Sequence, residues 1–343
     1  MRAEDRLLDL WHTRRPLARC LLPLAWIYQS LWWLRQALHQ AGWLRSERLP
    51  VPVIVVGNVV TGGAGKTPLV IELLARLRQA GWHPAVVSRG HGGAAPDTLR
   101  VDAGTDARDC GDEPWLIWRR AGVPVCVGRD RAAAARALLA ADAAVDLIVC
   151  DDGLQHIRLQ RDIEICVFDA SGIGNGWLLP AGPLREPWPR RSAAATWTVQ
   201  SIDGDAVLPD RRWGWPVRRS LCSEAVRADG SRCRLAALAG QPSVALAGIA
   251  HPERFFAMLR AAGIRPDQTL ALPDHDALDA LGADVLAAAV LICTEKDAGK
   301  LWRLRPDAWA VPLQLSIEGP WVDELLQTLG PPPLSSGDGH QAA

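Results

Sequence analysis

Lysine is scarce in this 343-residue sequence, and neither sign of charge is in excess. The 38 Lys and Arg residues balance 38 Asp and Glu residues, and the lysines are Lys66, Lys296 and Lys300 alone. A net charge of zero gives no strong positive field of the kind that draws proteins to nucleic acid, and no acidic excess that predicts disorder. Because arginine is used almost everywhere else, each lysine merits separate inspection.

The sequence also lacks paired cysteine spacings. Its eight cysteines contain no C-x-x-C arrangement, and several lie within apolar runs, such as the run that ends at Cys150. These positions argue against a zinc site and a disulfide framework, and they indicate buried thiols in a reducing compartment. Hydrophobic residues make up 49% of the chain, which is ample for a folded core.

No uncharged run near the N-terminus is long enough for an ordinary membrane span. The run Cys20–Leu34 has 15 residues, whereas a spanning helix needs about 20. Arginines flank both ends, tryptophans suited to lipid headgroups lie between 26 and 43, and no small-x-small cleavage site of a signal peptide follows. The pattern favours a helix that lies in, or dips into, a membrane face over a helix packed on the protein's own core.

Short β-branched runs alternate with helical spacings along the chain. Strands are predicted at 51–57, 84–88, 123–127, 145–150 and 163–168, with helices at 66–80 and 131–141. A second series begins with a strand at 243–249, a helix at 252–262 and a strand at 290–293. This alternation predicts a doubly wound α/β fold with a mostly parallel sheet, followed by a second, smaller α/β lobe.

Changes in composition divide the chain into five parts. Periodicity is lost between the two α/β series, which predicts a linker, and the last residues are rich in proline, glycine and serine, which predicts disorder. The predicted parts are a membrane-associated segment (1–48), a first lobe (49–200), a linker (201–216), a second lobe (217–330) and a tail (331–343).

A glycine-rich loop lies between the first predicted strand and the first predicted helix. In this context, backbone N–H groups and the helix N-terminus bind phosphate, Lys66 reaches the β- and γ-phosphates, and the Thr67 hydroxyl binds Mg²⁺. The loop departs from G-x-x-x-x-G-K-[ST] in having Val60 at the first glycine position. The predicted nucleotide-binding residues are Val60, Thr61, Gly62, Gly63, Ala64, Gly65, Lys66 and Thr67.

Two carboxylates follow the apolar strand 145–150. Asp151 and Asp152 stand where the metal-binding acid of a phosphate-loop NTPase lies, beside the phosphates. One of the two would orient Mg²⁺ or its waters, and the other would hold the loop; the order of these roles stays open. A plain Asp-Asp-Gly turn is the alternative interpretation.

Further segments extend the pattern beyond these two motifs. They are Ser-Arg-Gly-His-Gly-Gly at 88–93, Gly-Asp-Glu-Pro at 111–114, Asp-Asp-Gly-Leu-Gln-His at 151–156, Leu-Pro-Ala-Gly-Pro-Leu-Arg-Glu-Pro at 179–187, and Pro-Asp-His at 273–275. In this order, over about residues 10–315, the set resembles the tetraacyldisaccharide 4′-kinase family of Gram-negative bacteria. The string at 179–187 is the most specific of these segments.

The resemblance implies an activity and roles for individual residues. It implies ATP- and Mg²⁺-dependent phosphorylation of the 4′-hydroxyl of a tetraacylated glucosamine disaccharide 1-phosphate at the cytoplasmic face of the inner membrane. Asp112 and His275 match the family's catalytic pair, and Lys66 joins them as a catalytic candidate. Candidates for contact with substrate or phosphate are Arg131, Gln155, Arg185 and Glu186.

Judged from the residues alone, several of these candidates also fit a purely structural role. Asp112 also suits a helix N-cap before Glu113, His275 suits a solvated loop, and the arginines suit surface ion pairs. Since Asp112 and His275 fall in different predicted lobes, their pairing would need the lobes to approach.

The alternative functions are a switch-type regulatory or targeting GTPase and a soluble small-molecule kinase. Thr294-Glu-Lys-Asp297 resembles the [NT]-K-x-D guanine-reading motif, but its lysine follows the variable residue instead of preceding it. That order counts against the GTPase, and we expect the segment to be structural.

Overall fold

The computed structural model describes residues 11, 13–94, 97–190, 192–204, 212–274, 276 and 278–333. Among these residues the strands form one nine-stranded and one six-stranded sheet, both mixed and mostly parallel. The predicted α/β class and parallel pairing are confirmed.

The first sheet is built around five short, apolar strands that are buried along their whole length. Residues 53–56 place Ile54 and Val56 against one buried cluster and Val53 and Val55 against another, because successive side chains point to opposite faces. The strands in chain order are β1 (Val53–Gly57), β2 (Pro84–Ser88), β3 (Leu99–Val101), β4 (Val125–Val127), β5 (Leu147–Asp151), β6 (Ile163–Phe168), β7 (Ala195–Asp203) and β8 (Trp215–Leu221). The ninth strand, Leu313–Ile317, comes from near the C-terminus, and the spatial order is this strand, then β8-β7-β6-β1-β5-β2-β4-β3.

Helices cover both faces of this sheet, as parallel strands require. They are α1 (Pro16–Cys20), α2 (Leu22–Gln40), α3 (Lys66–Gln79), α4 (Ala107–Cys110), α5 (Asp112–Ala121) and α6 (Arg131–Ala141). In α3, Leu69, Val70, Leu73, Leu74 and Leu77 are buried, which is the helical spacing seen in the sequence.

The second sheet has the order β10-β9-β14-β13-β11-β12. Its strands are β9 (Glu224–Val226), β10 (Arg232–Arg234), β11 (Ser243–Ala247), β12 (Gln268–Ala271), β13 (Val290–Thr294) and β14 (Trp309–Val311). Its helices are α7 (Pro252–Ala261), α8 (Ala283–Leu286) and α9 (Glu295–Leu304), with a 3₁₀ turn at Leu235–Leu238. The chain then returns to the first sheet through β15 (Leu313–Ile317) and α10 (Trp321–Leu329), whose Trp321 and Leu325 lie in the first core.

The predicted linker 201–216 differs from the structure at both ends. Residues 201–203 belong to β7 and residues 215–216 belong to β8, and the two strands pair in parallel. Residues 201–203 pair with residues 217–219 of β8, so sheet pairing extends both strands into a segment whose sequence shows no strand periodicity. Residues 205–211 lie outside the described residues, as do residues 1–10 of the N-terminal segment and residues 334–343 of the predicted tail.

Helices α1 and α2 keep much of their apolar surface exposed. Among the described residues, nine of the ten exposed large hydrophobic side chains lie between positions 17 and 44. Ala18 and Ala25 face inward and are buried. No helix in the described part of the chain has the length and apolarity that crossing a membrane requires.

Candidate active site

The glycine-rich loop leaves β1 and enters α3 through a left-handed glycine. Gly65 has φ of 78° and ψ of 31°, and Lys66 begins the helix. On the other side of the loop, Val60 is buried and bridges Leu184, and the Thr61 N–H donates to the Pro183 carbonyl at 2.9 Å. The valine at the first glycine position therefore anchors the loop to the Leu-Pro-Ala-Gly-Pro-Leu-Arg-Glu segment.

The Lys66 ammonium lies between an amide and a carboxylate. Its Nζ is 3.4 Å from Asn58 Oδ1 and 3.5 Å from Asp152 Oδ1. Asn58 is fully buried and also donates from Nδ2 to the Gly62 carbonyl at 3.2 Å, so it holds both the loop and its lysine. Sequence reasoning missed Asn58, although a polar residue directly after a buried strand is the signal that could have identified it.

The pKa values of the two acids at the end of β5 are shifted in opposite directions. Burial raises the pKa of Asp151 to about 8, and the nearby carboxylates of Glu113 and Asp152 add to the rise. Burial also acts to raise the pKa of Asp152, but the positive charges of Lys66 and Arg185 hold it below its ordinary value. Neither carboxylate oxygen of Asp151 accepts a hydrogen bond from a described residue.

Of the four predicted substrate contacts, one lines the cavity and the other three make hydrogen bonds or ion pairs within the protein. Arg185 lines the cavity, with Nη1 3.5 Å from Asp152 Oδ2. Arg131 is buried and donates to the Asp152 carbonyl at 3.0 Å. Gln155 donates to the Asn58 carbonyl at 3.0 Å and to Glu186 at 2.7 Å.

Glu186 belongs to a buried ionic network behind the cavity. It pairs with Arg190, which also contacts Glu164, and Glu164 in turn pairs with Arg161. With both arginines and both glutamates almost fully buried, the network fixes the segment that carries Arg185.

Asp112 is the first residue of α5 and is buried. Its Oδ2 is 2.9 Å from the ammonium of Lys300, on α9 of the second sheet. The neighbouring Glu113 lines the cavity and lies 3.6 Å from Lys296 Nζ. His275, the predicted partner of Asp112, falls outside the described residues. Sequence reasoning missed these two lysine contacts, which join residues far apart in the chain.

In the Thr294–Asp297 segment, the aspartate has a structural role. Asp297 is fully buried, and its Oδ2 accepts from the Gly248 N–H at 3.0 Å and from the Thr294 hydroxyl at 2.6 Å. These bonds tie the start of α9 to the end of β11. Lys296 points instead toward the cavity, where it pairs with Asp274 at 2.9 Å.

One cavity of about 370 Å³ collects most of these groups. The glycine-rich loop forms one wall together with Glu113, Asp152 and Arg185. Residues of the second lobe, including Ile249, Phe255, Met258 and Val311, line another, partly apolar part of the cavity together with Leu313 of β15 in the first sheet. A phosphate-binding loop, paired carboxylates and an apolar wall in one cleft suit a nucleotide whose phosphates react with a second substrate.

Comparisons with known proteins agree with this geometry. The family model for tetraacyldisaccharide-1-P 4′-kinase matches residues 17–330. A tetraacyldisaccharide 4′-kinase from Acidovorax ebreus is 51% identical over 94% of this chain and 93% of its own length. One from Polaromonas naphthalenivorans is 50% identical over 98% of each chain.

A solved structure shares the fold. The crystal structure of LpxK from Aquifex aeolicus in complex with ATP has a TM-score of 0.77 and 25% identity to this chain, over 92% of this chain and 100% of its own. The family match covers residues 17–330, and both relatives match over more than 90% of each chain. The chain therefore belongs to the tetraacyldisaccharide-1-P 4′-kinase family.

Proposed function

We propose that this tetraacyldisaccharide 4′-kinase of lipid A biosynthesis has a phosphate-loop NTPase fold and binds ATP in the 370 Å³ cavity. It transfers the γ-phosphate to the 4′-hydroxyl of a tetraacylated glucosamine disaccharide 1-phosphate. The observation that carries the proposal is the convergence on one cavity of Lys66, Asp152 and Glu113. The buried carboxylates of Asp151 and Asp112 directly precede Asp152 and Glu113 in the chain.

The glycine-rich loop holds the triphosphate. Backbone N–H groups of residues 62–67 and the N-terminus of α3 supply partial positive charge to phosphate oxygens. Lys66 adds a full charge at the β- and γ-phosphates, and Asn58 keeps that ammonium directed into the loop.

Thr67, Asp151 and Asp152 fit a Mg²⁺ ion. Both oxygens of Asp151 are buried without a hydrogen-bond donor among the described residues, an arrangement that a cation would satisfy. No group of three His, Cys, Asp or Glu side chains in the described part of the chain forms a metal site by itself. Mg²⁺ does not require such a group, because it is usually bound by one or two carboxylates together with substrate phosphates. When bound, the ion neutralises charge on the transferring phosphoryl group.

Asp112 acts as the general base for the sugar hydroxyl. A carboxylate that accepts the hydroxyl proton as the oxygen attacks phosphorus contributes about 10²–10⁴-fold to the rate. His275, carried over from the family resemblance, would hydrogen-bond and orient Asp112. Glu113, beside Asp112 and on the cavity wall, adds negative charge near the acceptor position.

Replacement of Asp112 tests this assignment. In Asp112→Asn we expect turnover to fall by about 10²–10⁴-fold, with ATP affinity nearly unchanged. The assay follows label from γ-labelled ATP into the lipid acceptor and, in parallel, into free phosphate. Transfer to lipid at the wild-type rate would contradict the assignment, and release of phosphate alone from the wild-type enzyme would favour the switch-type NTPase.

We infer that the enzyme acts at the cytoplasmic face of the inner membrane, and the exposed apolar surface of α1 and α2 supports this inference. Trp26, Ile27 and Leu31 are each about 60% exposed. The Tyr28 hydroxyl donates to the Arg185 carbonyl at 2.7 Å, so this surface adjoins the reaction site. A helix lying in the headgroup region would deliver the sugar while the acyl chains stay in the bilayer.

Binding to vesicles tests the membrane contact. The triple variant Trp26→Ser, Ile27→Ser, Leu31→Ser should lose most of its binding to anionic phospholipid vesicles, because apolar burial supplies part of that affinity. The control is Leu304→Ser, at an exposed leucine of the second lobe. Equal vesicle binding by the triple variant and the wild type would rule the contact out.

A further inference from the structure

Helix α5, which carries Asp112, is packed closely against α9 of the second lobe. Gly299 permits this approach, since a Cβ there would lie 3.2 Å from ring carbons of Trp115. Trp115 also makes an edge contact with Trp302, with ring centroids 6.3 Å apart. The guanidinium of Arg119 lies 4.6 Å from the Trp302 ring centroid. The two helices therefore form a dense contact directly behind the proposed base.

Two ion pairs join the same two helices at separate places. Lys300 Nζ lies 2.9 Å from Asp112 Oδ2, with side chains 5% and 7% exposed. Arg120 Nη1 lies 2.7 Å from Glu295 Oε2, and this pair is more open, with side chains 29% and 11% exposed. The first pair involves the proposed base, and the second does not.

We propose that Lys300 is a positioning residue for phosphoryl transfer, whose ammonium keeps the Asp112 carboxylate ionised and fixed in direction. This inference rests on the proposed function, which makes Asp112 the base. A buried carboxylate loses hydration, and desolvation favours its protonated form, which cannot accept a proton from the sugar hydroxyl. A cation at hydrogen-bond distance offsets that loss.

Lys296, the other described lysine near Asp112, contacts different carboxylates more directly. Lys296 is divided between Asp274 at 2.9 Å and Glu113 at 3.6 Å, although its ammonium also senses the charge of Asp112. In the described part of the chain, the titratable groups near Asp112 include Cys110, Glu113, Lys296 and Lys300. Among these, the negative charge of Glu113 opposes ionisation of Asp112, whereas the ammonium of Lys300 at 2.9 Å favours it directly.

The test compares two variants that each break one of the pairs between α5 and α9. Lys300→Met should lower kcat by about 10- to 100-fold, which is part of the effect of a positioned base, and leave the KM for ATP within about two-fold. The acidic limb of its kcat–pH profile should move to higher pH, because the carboxylate loses its cation. Arg120→Met removes the other ion pair between the same two helices. It should keep the wild-type kcat and the wild-type acidic limb of the kcat–pH profile. Unchanged kcat and pH profile in Lys300→Met overturn the proposal.

Asp112→Asn and Lys300→Arg separate the possible failures. Wild-type turnover in Asp112→Asn means that the base assignment is wrong, and the role of Lys300 falls with it. Loss of turnover in Asp112→Asn with a fully active Lys300→Met means that only the role of Lys300 is wrong. Lys300→Arg keeps the charge and serves if Lys300→Met does not fold: its acidic limb should stay in place, and a limb shifted to higher pH overturns the proposal.

Discussion

Replacing Gly65 by alanine should damage both the stability and the nucleotide affinity of the enzyme. Gly65 has φ of 78°, which costs an alanine about 1–2 kcal/mol. The new Cβ would also lie 2.9 Å from Arg219 Nη1 and 3.0 Å from Ser201 Oγ. Arg219 cannot simply swing away, because it is buried and its Nη2 lies 2.8 Å from Asp203 Oδ1.

Crowding of this kind adds about 1–3 kcal/mol, so Gly65→Ala should lose about 3 kcal/mol in total. The expected fall in Tm is about 6 °C, since each kcal/mol shifts the Tm of a large domain by about 2 °C. ATP affinity should weaken at least about ten-fold, because the N–H groups beside residue 65 are displaced from the phosphates.

Thermal unfolding and ATP titration of three further variants test the two parts of this estimate. Gly42→Ala has nearly the same φ, 75°, with open space around the new methyl group, so it should lose the backbone cost alone. The Ser201 hydroxyl makes no hydrogen bond to a described residue, and Ser201→Ala should be nearly neutral. Combined with Gly65→Ala, it should recover part of the stability. If Gly65→Ala is no less stable than Gly42→Ala, the steric argument is wrong.

Two further predictions concern buried charge. Burial, with the charge of Arg131 next, lowers the pKa of His156 from 6.5 to about 4, so the unfolded chain binds the extra proton. Stability should therefore fall by about 1–2 kcal/mol, after allowance for solvent screening, as pH drops from 6.5 toward 4. His156→Gln should flatten this part of the Tm–pH curve, and His83→Gln, at an exposed position, should not. Glu164→Gln should cost about 3 kcal/mol in urea unfolding, because it leaves Arg161 and Arg190 buried with less compensation. Glu224→Gln, in a surface pair, should cost under about 1 kcal/mol, and equal losses would contradict the reasoning.

Local patterns predicted the centre of the first sheet well. Three elements have the predicted bounds: the strands Pro84–Ser88 and Ile163–Phe168 and the helix Arg131–Ala141. Each is a continuous run of mostly apolar or alanine residues, and such runs show where an element begins and ends. The short strands Leu99–Val101 and Glu224–Val226 were not predicted, because three residues show no periodicity and neither lies in a longer apolar run such as the one around Val125–Val127.

In the site, too, the sequence predicts the residues of local motifs but not the contacts between distant parts of the chain. The glycine-rich loop and the Asp151–Asp152 pair are each a continuous sequence motif, and the structure brings the loop and Asp152 to one cavity. The contact between Lys300 and Asp112 spans 188 residues and depends on how two sheets pack, which no local pattern encodes. His275 stays a prediction from the family resemblance.

The charge of the cavity supports the proposal that a divalent cation takes part in the reaction. Among the described residues, its lining includes five acidic side chains (Glu113, Asp152, Asp203, Asp274 and Glu295) and five basic ones (Lys66, Arg185, Arg219, Arg254 and Lys296). Most are already paired with one another, so the empty cavity is close to neutral. A triphosphate brings about four negative charges, which this balance cannot absorb without breaking existing ion pairs. Both oxygens of Asp151 are buried without a hydrogen-bond donor among the described residues, so a cation bound beside them would satisfy these oxygens and offset the charge of the triphosphate.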